Sequence, residues 1–185
     1  MTRNDVSPEE SSTREARRLY REMFGKLLDD IDETPSLICD RLFLGSNQDA
    51  QNIDAVKRHQ IRYVLNMTGS KSYSHDFFVT AGYPEIVLLC VDAHDQDDYN
   101  ISDDFLVALN FIHKSLRIGD GALLVHCAAG VSRSATIVAA YLMVKQRISA
   151  SAAILLVHQA RPCVCPNIGF LKQLLAFDWR NFEFN

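Results

Sequence analysis

The chain of 185 residues is 48% hydrophobic and 23% charged, with a formal net charge of −4 and a pI of about 5.8. This length and composition predict one soluble globular domain with a short extension, and the acidic balance argues against a general nucleic-acid-binding protein. No apolar stretch approaches the ~20 residues of a membrane-spanning helix, and the charged N-terminus is unlike a signal peptide.

Five cysteines in a chain without a secretory signal indicate free thiols in a reducing compartment. We therefore expect a cytoplasmic location, with the nucleus as the alternative.

The first 33 residues form a charged segment with nine acidic and six basic side chains. A helix start is predicted from Ser7 to Glu10, where Ser7 can cap the first turn. Apolar residues then recur at helical spacing: Ala16, Leu19, Tyr20, Met23, Phe24, Leu27 and Ile31. We expect an amphipathic helix that packs on the main domain or mediates self-association, with a solvated charged arm as the alternative. Residues 1–36 are thus a predicted N-terminal helical extension and residues 37–185 the main domain.

The rest of the chain alternates apolar strands with helices. Strands are predicted at residues 37–44, 62–66, 85–91 and 122–126, with a polar loop at 68–75. Helices are predicted at residues 46–58, 101–116, 132–145, 150–159 and 168–177. Ser46 with Asp49 forms a capping box, and Ser102 begins the second of these helices. The alternation predicts an α/β fold with a central, mostly parallel sheet flanked by helices.

The loop between the last strand and the helix after it carries the chemistry. Residues 126–134 read HCAAGVSRS. A strand–loop–helix turn directs backbone N–H groups and the positive end of the helix dipole at one point, which suits a phosphate. Gly130 allows backbone angles that other residues avoid, and Arg133 can donate two parallel hydrogen bonds to phosphate oxygens. These groups favour the thiolate of Cys127, a nucleophile placed for in-line attack on a bound phosphate.

The alternative is a buried structural Cys127 beside a surface Arg133. A structural cysteine would not require a glycine-containing, hydroxyl-rich turn around it.

Residues 126–134 resemble the His-Cys-x-x-Gly-x-x-Arg-Ser signature of cysteine-based protein phosphatases, in particular the dual-specificity branch. Further resemblances are Leu42-Phe43-Leu44-Gly45 with Ala50, then Arg161-Pro162, Pro166-Asn167, Phe170 and Gln173-Leu174. The resemblance covers about residues 37–178. It implies an α/β fold with a phosphate-binding loop between a strand and a helix. It also implies hydrolysis of phosphotyrosine, phosphoserine and phosphothreonine in proteins through a cysteinyl-phosphate, with no metal and no cofactor.

The resemblance implies a role for each signature residue. Cys127 is the expected nucleophile, Arg133 binds phosphate and stabilises the transferring charge, and Ser134 donates to the Cys127 sulfur to help it leave. Backbone N–H groups are expected to cradle the phosphate at Ala128, Ala129, Gly130, Val131, Ser132 and Arg133. His126 is expected to orient the loop through buried hydrogen bonds and need not titrate; a merely structural role and a pKa-tuning role are equally open. Asn167 is expected to brace the loop from a neighbouring segment, with an ordinary turn asparagine as the alternative.

The leaving oxygen needs a proton, so a carboxylic acid should lie beside the phosphate site. Residues 91–100 contain several candidates: Asp92, His94, Asp95, Asp97 and Asp98. Counted back from residues 100–102, which resemble the start of a family helix, Asp95 falls at the acid position. Asp92 is the first alternative and Asp97 the second. The spacing does not match an EF-hand calcium loop.

Other cysteines invite two further hypotheses. Cys163 and Cys165 lack the additional nearby ligands that a zinc site needs, so we expect packing or surface thiols. Cys90 ends the strand before the acid-bearing segment, and in some relatives a cysteine near there forms a reversible disulfide with the nucleophile. A core thiol is the alternative for Cys90.

The loop residues and the net charge of the chain distinguish this function from the alternatives. Neutral Ala128, Ala129 and Val131 argue against a phosphoinositide phosphatase, since relatives of that kind carry lysines there. The acidic charge argues against an RNA 5′-triphosphatase. A non-catalytic phosphoprotein-binding module usually loses the cysteine or the arginine, and both are present. No tyrosine-recognition insertion is visible, so a shallow cleft is expected in a small, atypical member that acts on phosphorylated proteins.

Overall fold

The computed structural model describes residues 13–20, 34–69 and 74–185. Residues 13–20 are helical (α1), while the predicted helix start at Ser7 and the apolar positions beyond Tyr20 lie outside the described residues. Within α1, Ala16 is fully buried in the main hydrophobic core and Leu19 is also buried. This face of α1 therefore packs on the rest of the chain. The domain boundary at residue 36 stays a prediction.

The described strands form one five-stranded sheet. They are β1 (Ser36–Cys39), β2 (Leu42–Gly45), β3 (Ile61–Asn66), β4 (Val87–Cys90) and β5 (Ala122–His126). The strand order is β1-β2-β5-β3-β4, with β1 antiparallel to β2 and all other pairs parallel. Every residue of the central strand β5 is buried, as expected for a parallel strand covered on both faces. The predicted α/β fold with a mostly parallel sheet is confirmed.

Helices cover both faces of this sheet. After α1 come α2 (Asn47–Gln51), α3 (Ile53–Arg58), α4 (His75–Thr80), α5 (Phe105–Ile118), α6 (Arg133–Gln146), α7 (Ala150–Ala160) and α8 (Ile168–Ala176). Short 3₁₀ turns lie at Ile101–Asp104 and Trp179–Asn181. In the parts of the chain that the structure describes, no helix has the length and apolar character needed to cross a membrane.

The predicted single helix over residues 46–58 is wrong, because the chain breaks at Asn52. Asn52 has an extended backbone, and its side chain accepts a hydrogen bond from the Ala55 N–H, which starts a second helix. Asparagine is a strong helix cap, so it interrupts two segments that are each helical by pattern. The predicted capping box of Ser46 and Asp49 is confirmed at the start of α2.

The start of one helix differs from the prediction, and one short helix was not predicted. The helix expected from Ser102 begins as a 3₁₀ turn and becomes α-helical at Phe105. The Ser102 hydroxyl donates to the Asn100 side chain (2.7 Å) and does not cap the helix. Helix α4 was not predicted: it begins at the end of the expected polar loop and is six residues long. Such a short segment shows little periodicity.

The core lies in two layers, one on each side of the sheet. Leu123 and Val125 of β5 face the cluster formed with α5–α8, whereas Ala122 and Leu124 face the cluster formed with α2–α4. Helix α6 is buried from residue 134 to residue 144, including its polar Ser134 and Thr136. A helix buried all round is fixed by contacts on every side. The loop between β5 and α6 therefore connects a fully buried strand to a buried helix, and packing holds both of its ends in place.

Candidate active site

The loop over residues 127–132 leaves β5 at His126 and enters α6 at Arg133. Its sharpest turn lies at Gly130, where φ is +69°. A Cβ atom at this position would lie 2.5 Å from the Gly45 carbonyl oxygen and 3.0 Å from Nη2 of Arg161. Both the backbone angle and the close approach of β2 therefore require glycine.

The loop carbonyls are bonded from outside the loop. Ala128 accepts from the Asn47 N–H (3.0 Å), Gly130 from Nε of Arg161 (3.1 Å) and Val131 from the Cys165 N–H (2.9 Å). In a planar trans peptide the carbonyl and the next N–H point in opposite directions. The N–H groups that follow these carbonyls therefore point to the concave side of the loop: Ala129, Val131 and Ser132. This geometry creates an anion-binding concavity of backbone amides.

Cys127 lies at the base of this concavity and is 1% exposed. The hydroxyl of Ser134, on the first turn of α6, donates to the Cys127 sulfur at 3.2 Å. The contact between Ser134 and Cys127 that the family resemblance implies is present. A donor at this distance stabilises negative charge on sulfur.

His126 is fully buried behind the nucleophilic loop. Its Nδ1 lies 3.3 Å from the Cys127 carbonyl oxygen, and the carbonyl of His126 accepts from the Met67 N–H at 2.9 Å. Burial lowers the pKa of His126 to about 4, although the contact with the Cys127 carbonyl works in the opposite direction. The imidazole is therefore neutral at physiological pH, in agreement with the expectation that it need not titrate.

The side chains of Arg133 and Asp95 form an ion pair next to the loop. Nε of Arg133 lies 3.5 Å from Oδ2 of Asp95, and Nη1 of Arg133 donates to the Ala93 carbonyl at 3.1 Å. Nε is buried and makes no hydrogen bond to any of the described residues, so it is available to an oxygen of a bound anion. The other carboxylate oxygen of Asp95 accepts from Oγ of Ser132 at 2.7 Å and from Nδ2 of Asn167 at 2.9 Å.

The two alternative aspartates lie elsewhere on the same segment. Asp92 lies against Gly69, where a Cβ atom would come within 2.6 Å of its Oδ1. Asp97 lies with its backbone against Gly169 at the start of α8. Of the three candidate acids, Asp95 is the one with a described ion pair to Arg133.

Asn167 makes the contacts expected from both sequence interpretations, the loop brace and the ordinary turn asparagine. Its side-chain oxygen caps α8 by accepting from the Phe170 N–H at 2.9 Å, as an ordinary capping asparagine does. Its backbone N–H donates to Oγ of Ser132 at 3.2 Å, and its Nδ2 donates to Asp95. One residue therefore contacts both the phosphate loop and the candidate acid.

Sequence reasoning missed the residue that anchors Gly130 from behind. Arg161 is 2% exposed and, besides the Gly130 carbonyl, donates to the Thr34 carbonyl at 3.2 Å. Its Nη2 lies 3.7 Å from Oδ2 of the equally buried Asp49, the capping residue of α2. In the sequence Arg161 stands out only as part of the family resemblance and as an arginine at the end of a mostly apolar helix, and neither feature identifies the charged and polar partners that a buried guanidinium needs.

The other cysteines are free thiols. Cys90 pairs in register with Asn66, which pairs in register with His126, so two strand spacings of ~4.8 Å separate Cys90 from β5. That separation exceeds the ~7 Å limit for disulfide bridging without backbone movement, and burial raises the pKa of Cys90. The geometry therefore argues against a disulfide with the nucleophile, and Cys90 is a half-buried thiol. Burial also raises the pKa of Cys165, whose thiol hydrogen-bonds with Tyr20 of α1.

A concave region of about 570 Å³ is lined by Phe43, His59 and Ala122 among others. Ala122 is the first residue of β5, and Cys127 follows its last residue, about 17 Å away at 3.3 Å per residue. This cavity therefore lies at the opposite end of β5 from Cys127. Across residues 13–20, 34–69 and 74–185, no three His, Cys, Asp or Glu side chains are grouped to hold a metal ion.

The requirement for glycine at position 130 can be measured against a second glycine with a similar backbone. Gly82 also has a positive φ (+86°), but a Cβ atom there would meet nothing within 4 Å. We expect G82A to lose about 1 kcal/mol of unfolding free energy from backbone strain. G130A should lose several kcal/mol, because the Gly45 backbone or Arg161 must also move. Urea unfolding of both variants tests this expectation, and equal losses would contradict it.

The buried, neutral His126 should make stability depend on pH. Its pKa is about 4 in the folded protein and 6.5 ordinarily, so the unfolded chain binds the extra proton first. This contribution is complete above about pH 6.5 and is lost as the pH falls towards 4, by up to about 3 kcal/mol. Unfolding free energies at several pH values should show that decline in the wild type and a smaller decline in H126Q. Equal pH dependence of the two proteins would show that His126 is not responsible.

Comparison with known proteins agrees with this geometry. The profile of the family described as "Dual specificity phosphatase, catalytic domain" matches residues 42–180. The bovine (Bos taurus) dual specificity protein phosphatase 26 is 42% identical over 145 residues, which cover 75% of this chain but only 64% of that protein. The chain thus spans less than two thirds of the length of this curated relative.

Solved structures share the fold. The crystal structure of DUSP15 superposes with a TM-score of 0.70 at 29% identity, covering 80% of this chain and 89% of that one. A human tyrosine phosphatase-like serine/threonine/tyrosine-interacting protein superposes with a TM-score of 0.64, also at 29% identity, covering 78% of this chain and 95% of that one. With more than half of its residues matched by the family profile, the chain belongs to the family of dual specificity phosphatase catalytic domains.

Proposed function

We propose that this chain hydrolyses phosphotyrosine, phosphoserine and phosphothreonine in proteins through a cysteinyl-phosphate at Cys127, without a metal ion. One observation carries the proposal: the concave side of the 127–132 loop brings together a thiol with a hydrogen-bond donor, an arginine and a carboxylate. Ser134 donates to the sulfur at 3.2 Å, and Asp95 lies 3.5 Å from Arg133. Family membership supports the same reaction.

In the first proposed step, the Cys127 thiolate attacks phosphorus in line with the leaving oxygen. A sulfur–phosphorus bond forms and the phosphorus–oxygen bond to the substrate breaks. Arg133 and the backbone N–H groups of the loop, which the signature places from Ala128 to Arg133 and of which those of Ala129, Val131 and Ser132 face inward, stabilise the charge that develops on the phosphoryl oxygens. Asp95 in its acid form gives its proton to the leaving oxygen, so that the product departs as an alcohol or a phenol.

In the second proposed step, water attacks the phosphorus of the cysteinyl-phosphate. Asp95, now a carboxylate, takes a proton from this water, and the sulfur–phosphorus bond breaks to give inorganic phosphate. The hydroxyl of Ser134 stabilises the departing thiolate from 3.2 Å. The step returns both Cys127 and Asp95 to their starting forms.

The assignment of the acid to Asp95 is supported by contacts that Asp92 and Asp97 lack. A carboxylate beside Arg133 lies next to the phosphate that this arginine would bind. The hydrogen bonds from Ser132 and Asn167 restrict the carboxylate to one position over the loop. In the proposed mechanism both residues, together with His126, support the reacting groups rather than react themselves.

Substrates, location and assembly extend the proposal. The proposed partners are phosphorylated proteins, and neutral side chains at Ala128, Ala129 and Val131 disfavour polyanionic phosphoinositides. The free thiols of the described cysteines support a reducing compartment, for which we propose the cytoplasm, with the nucleus as a second location. Self-association through residues 1–33 remains part of the proposal; the burial of Ala16 supports packing of this segment within its own chain.

The test is hydrolysis of p-nitrophenyl phosphate across pH in the presence of EDTA. We expect turnover by the wild type, with kcat/KM falling on both sides of an optimum, because the proposed reaction needs one deprotonated nucleophile and one protonated acid. C127S should be inactive. D95N should lose the alkaline limb, and its rate should fall about 10²–10⁴-fold on phenyl phosphate, whose leaving oxygen needs the proton, but far less on p-nitrophenyl phosphate.

The matched control is D92N, which should keep the wild-type profile because Asp92 is not placed in the reaction. A folded, reduced, inactive wild type that still binds phosphopeptides would overturn the hydrolytic proposal in favour of a phosphoprotein-binding module. Loss of the alkaline limb in D92N instead of D95N would move the acid to Asp92.

A further inference from the structure

The segment that carries Asp95 has little structure of its own. Between the end of β4 at Cys90 and the 3₁₀ turn at Ile101 it forms neither helix nor strand, and its residues 94–98 are exposed. An exposed, irregular segment samples many conformations unless outside contacts hold it. The position of Asp95 therefore depends on whatever holds this segment.

A single side chain of α8 holds the far end of the segment. Oε1 of Gln173 accepts from the Ser102 N–H at 2.9 Å, and Nε2 of Gln173 donates to the Tyr99 carbonyl at 2.8 Å. One half-buried primary amide therefore satisfies a backbone donor and a backbone acceptor at the junction between the segment and the 3₁₀ turn. The Tyr99 ring also packs edge-on against Phe170 of α8, with centroids 6.5 Å apart.

The middle of the segment rests on the first turn of α8. A Cβ atom on Gly169 would overlap the Asp97 carbonyl oxygen and would lie 2.8 Å from the Asp97 Cα. Gly169 does not have a positive φ, so its own helix would accept any residue there. Glycine at this position is thus explained by the close approach of the acid-bearing segment, and not by α8.

The contacts follow α8 in order. Asn167 at the cap holds the Asp95 carboxylate, Gly169 in the first turn admits the Asp97 backbone, and Gln173 in the second turn holds Tyr99 and Ser102. Both hydrogen bonds of Gln173 go to backbone groups, and Gly169 meets the backbone of Asp97, so these two residues act on the segment through its backbone.

We propose that Gln173 and Gly169 are positioning residues for the general acid, and that α8 serves as the template on which the Asp95 segment is held in its reactive position. The inference rests on the proposed function, in which Asp95 protonates the leaving oxygen. Holding the acid in place before the substrate arrives removes the need to order the segment during the reaction. Loss of the template should therefore impair proton donation specifically.

A pair of substrates separates proton donation from the other steps. p-Nitrophenolate is a good leaving group that needs little protonation, whereas phenolate, whose conjugate acid resembles tyrosine with a pKa of ~10, depends strongly on the acid. For Q173L we expect kcat for phenyl phosphate to fall about 10- to 100-fold, the size of effect that a misplacement of about 1 Å produces. For p-nitrophenyl phosphate the fall should be within about 3-fold, with KM little changed.

Two further variants sharpen the test. G169A should give the same selective loss, because alanine favours the α8 helix and disturbs only the approach of Asp97. It keeps the inference testable if Q173L does not fold. Q159L, at an exposed glutamine of α7, is the matched control and should behave as the wild type with both substrates.

The double variant D95N/Q173L tests whether the loss of activity in Q173L arises through Asp95. If Gln173 acts through Asp95, the double variant should hydrolyse phenyl phosphate no more slowly than D95N alone. Equal losses on the two substrates in Q173L and G169A, or a further loss in the D95N background, would overturn the positioning role while leaving the proposed function intact. A D95N variant that loses both substrates equally would overturn the Asp95 assignment, and the positioning role with it.

Discussion

The candidate site depends on how the backbone of the 127–132 loop is held from behind. Its carbonyls are bonded to Asn47, Arg161 and Cys165, and this outward anchoring turns the following N–H groups to the concave side. Gly130 lies so close to Gly45 and Arg161 that no side chain fits between them. The anion-binding geometry is therefore enforced by neighbouring elements, and such preorganised donors are the condition for electrostatic stabilisation of a transition state.

The anchoring is itself built on a buried ion pair. Arg161 and Asp49 are each 2% exposed, and their charges are neutralised by each other and by hydrogen bonds from the Ser46 N–H and to the Thr34 carbonyl. Breaking such a pair on one side costs about 3–5 kcal/mol, because the remaining charge stays buried. The pair links the end of α7, the start of α2 and the segment before β1 to the loop, so the stability of the fold and the shape of the site are coupled.

Elements with a continuous apolar pattern could be predicted from the sequence. A helix break between two helical patterns, and contacts between residues far apart in the chain, could not. Strand β5 and helix α6 follow from uninterrupted apolar runs, and the loop between them from Gly130 and the spacing of Cys127 and Arg133. The break at Asn52 was missed because both flanking segments are helical by pattern. The roles of Arg161 and Gln173 could not be predicted, because their partners lie 31 and 71–74 residues away or farther and leave no local signature.

The central claim is that Cys127 carries the phosphoryl group during turnover. The most direct measurement is a rapid denaturing quench of S134A during hydrolysis of a phosphotyrosine peptide, followed by peptide mass spectrometry. Without the donor 3.2 Å from the sulfur, release of the thiolate should slow, so the intermediate should accumulate. We expect one phosphoryl group on the Cys127 peptide and none in C127S/S134A. A phosphoryl group on another residue, or turnover in C127S, would contradict it.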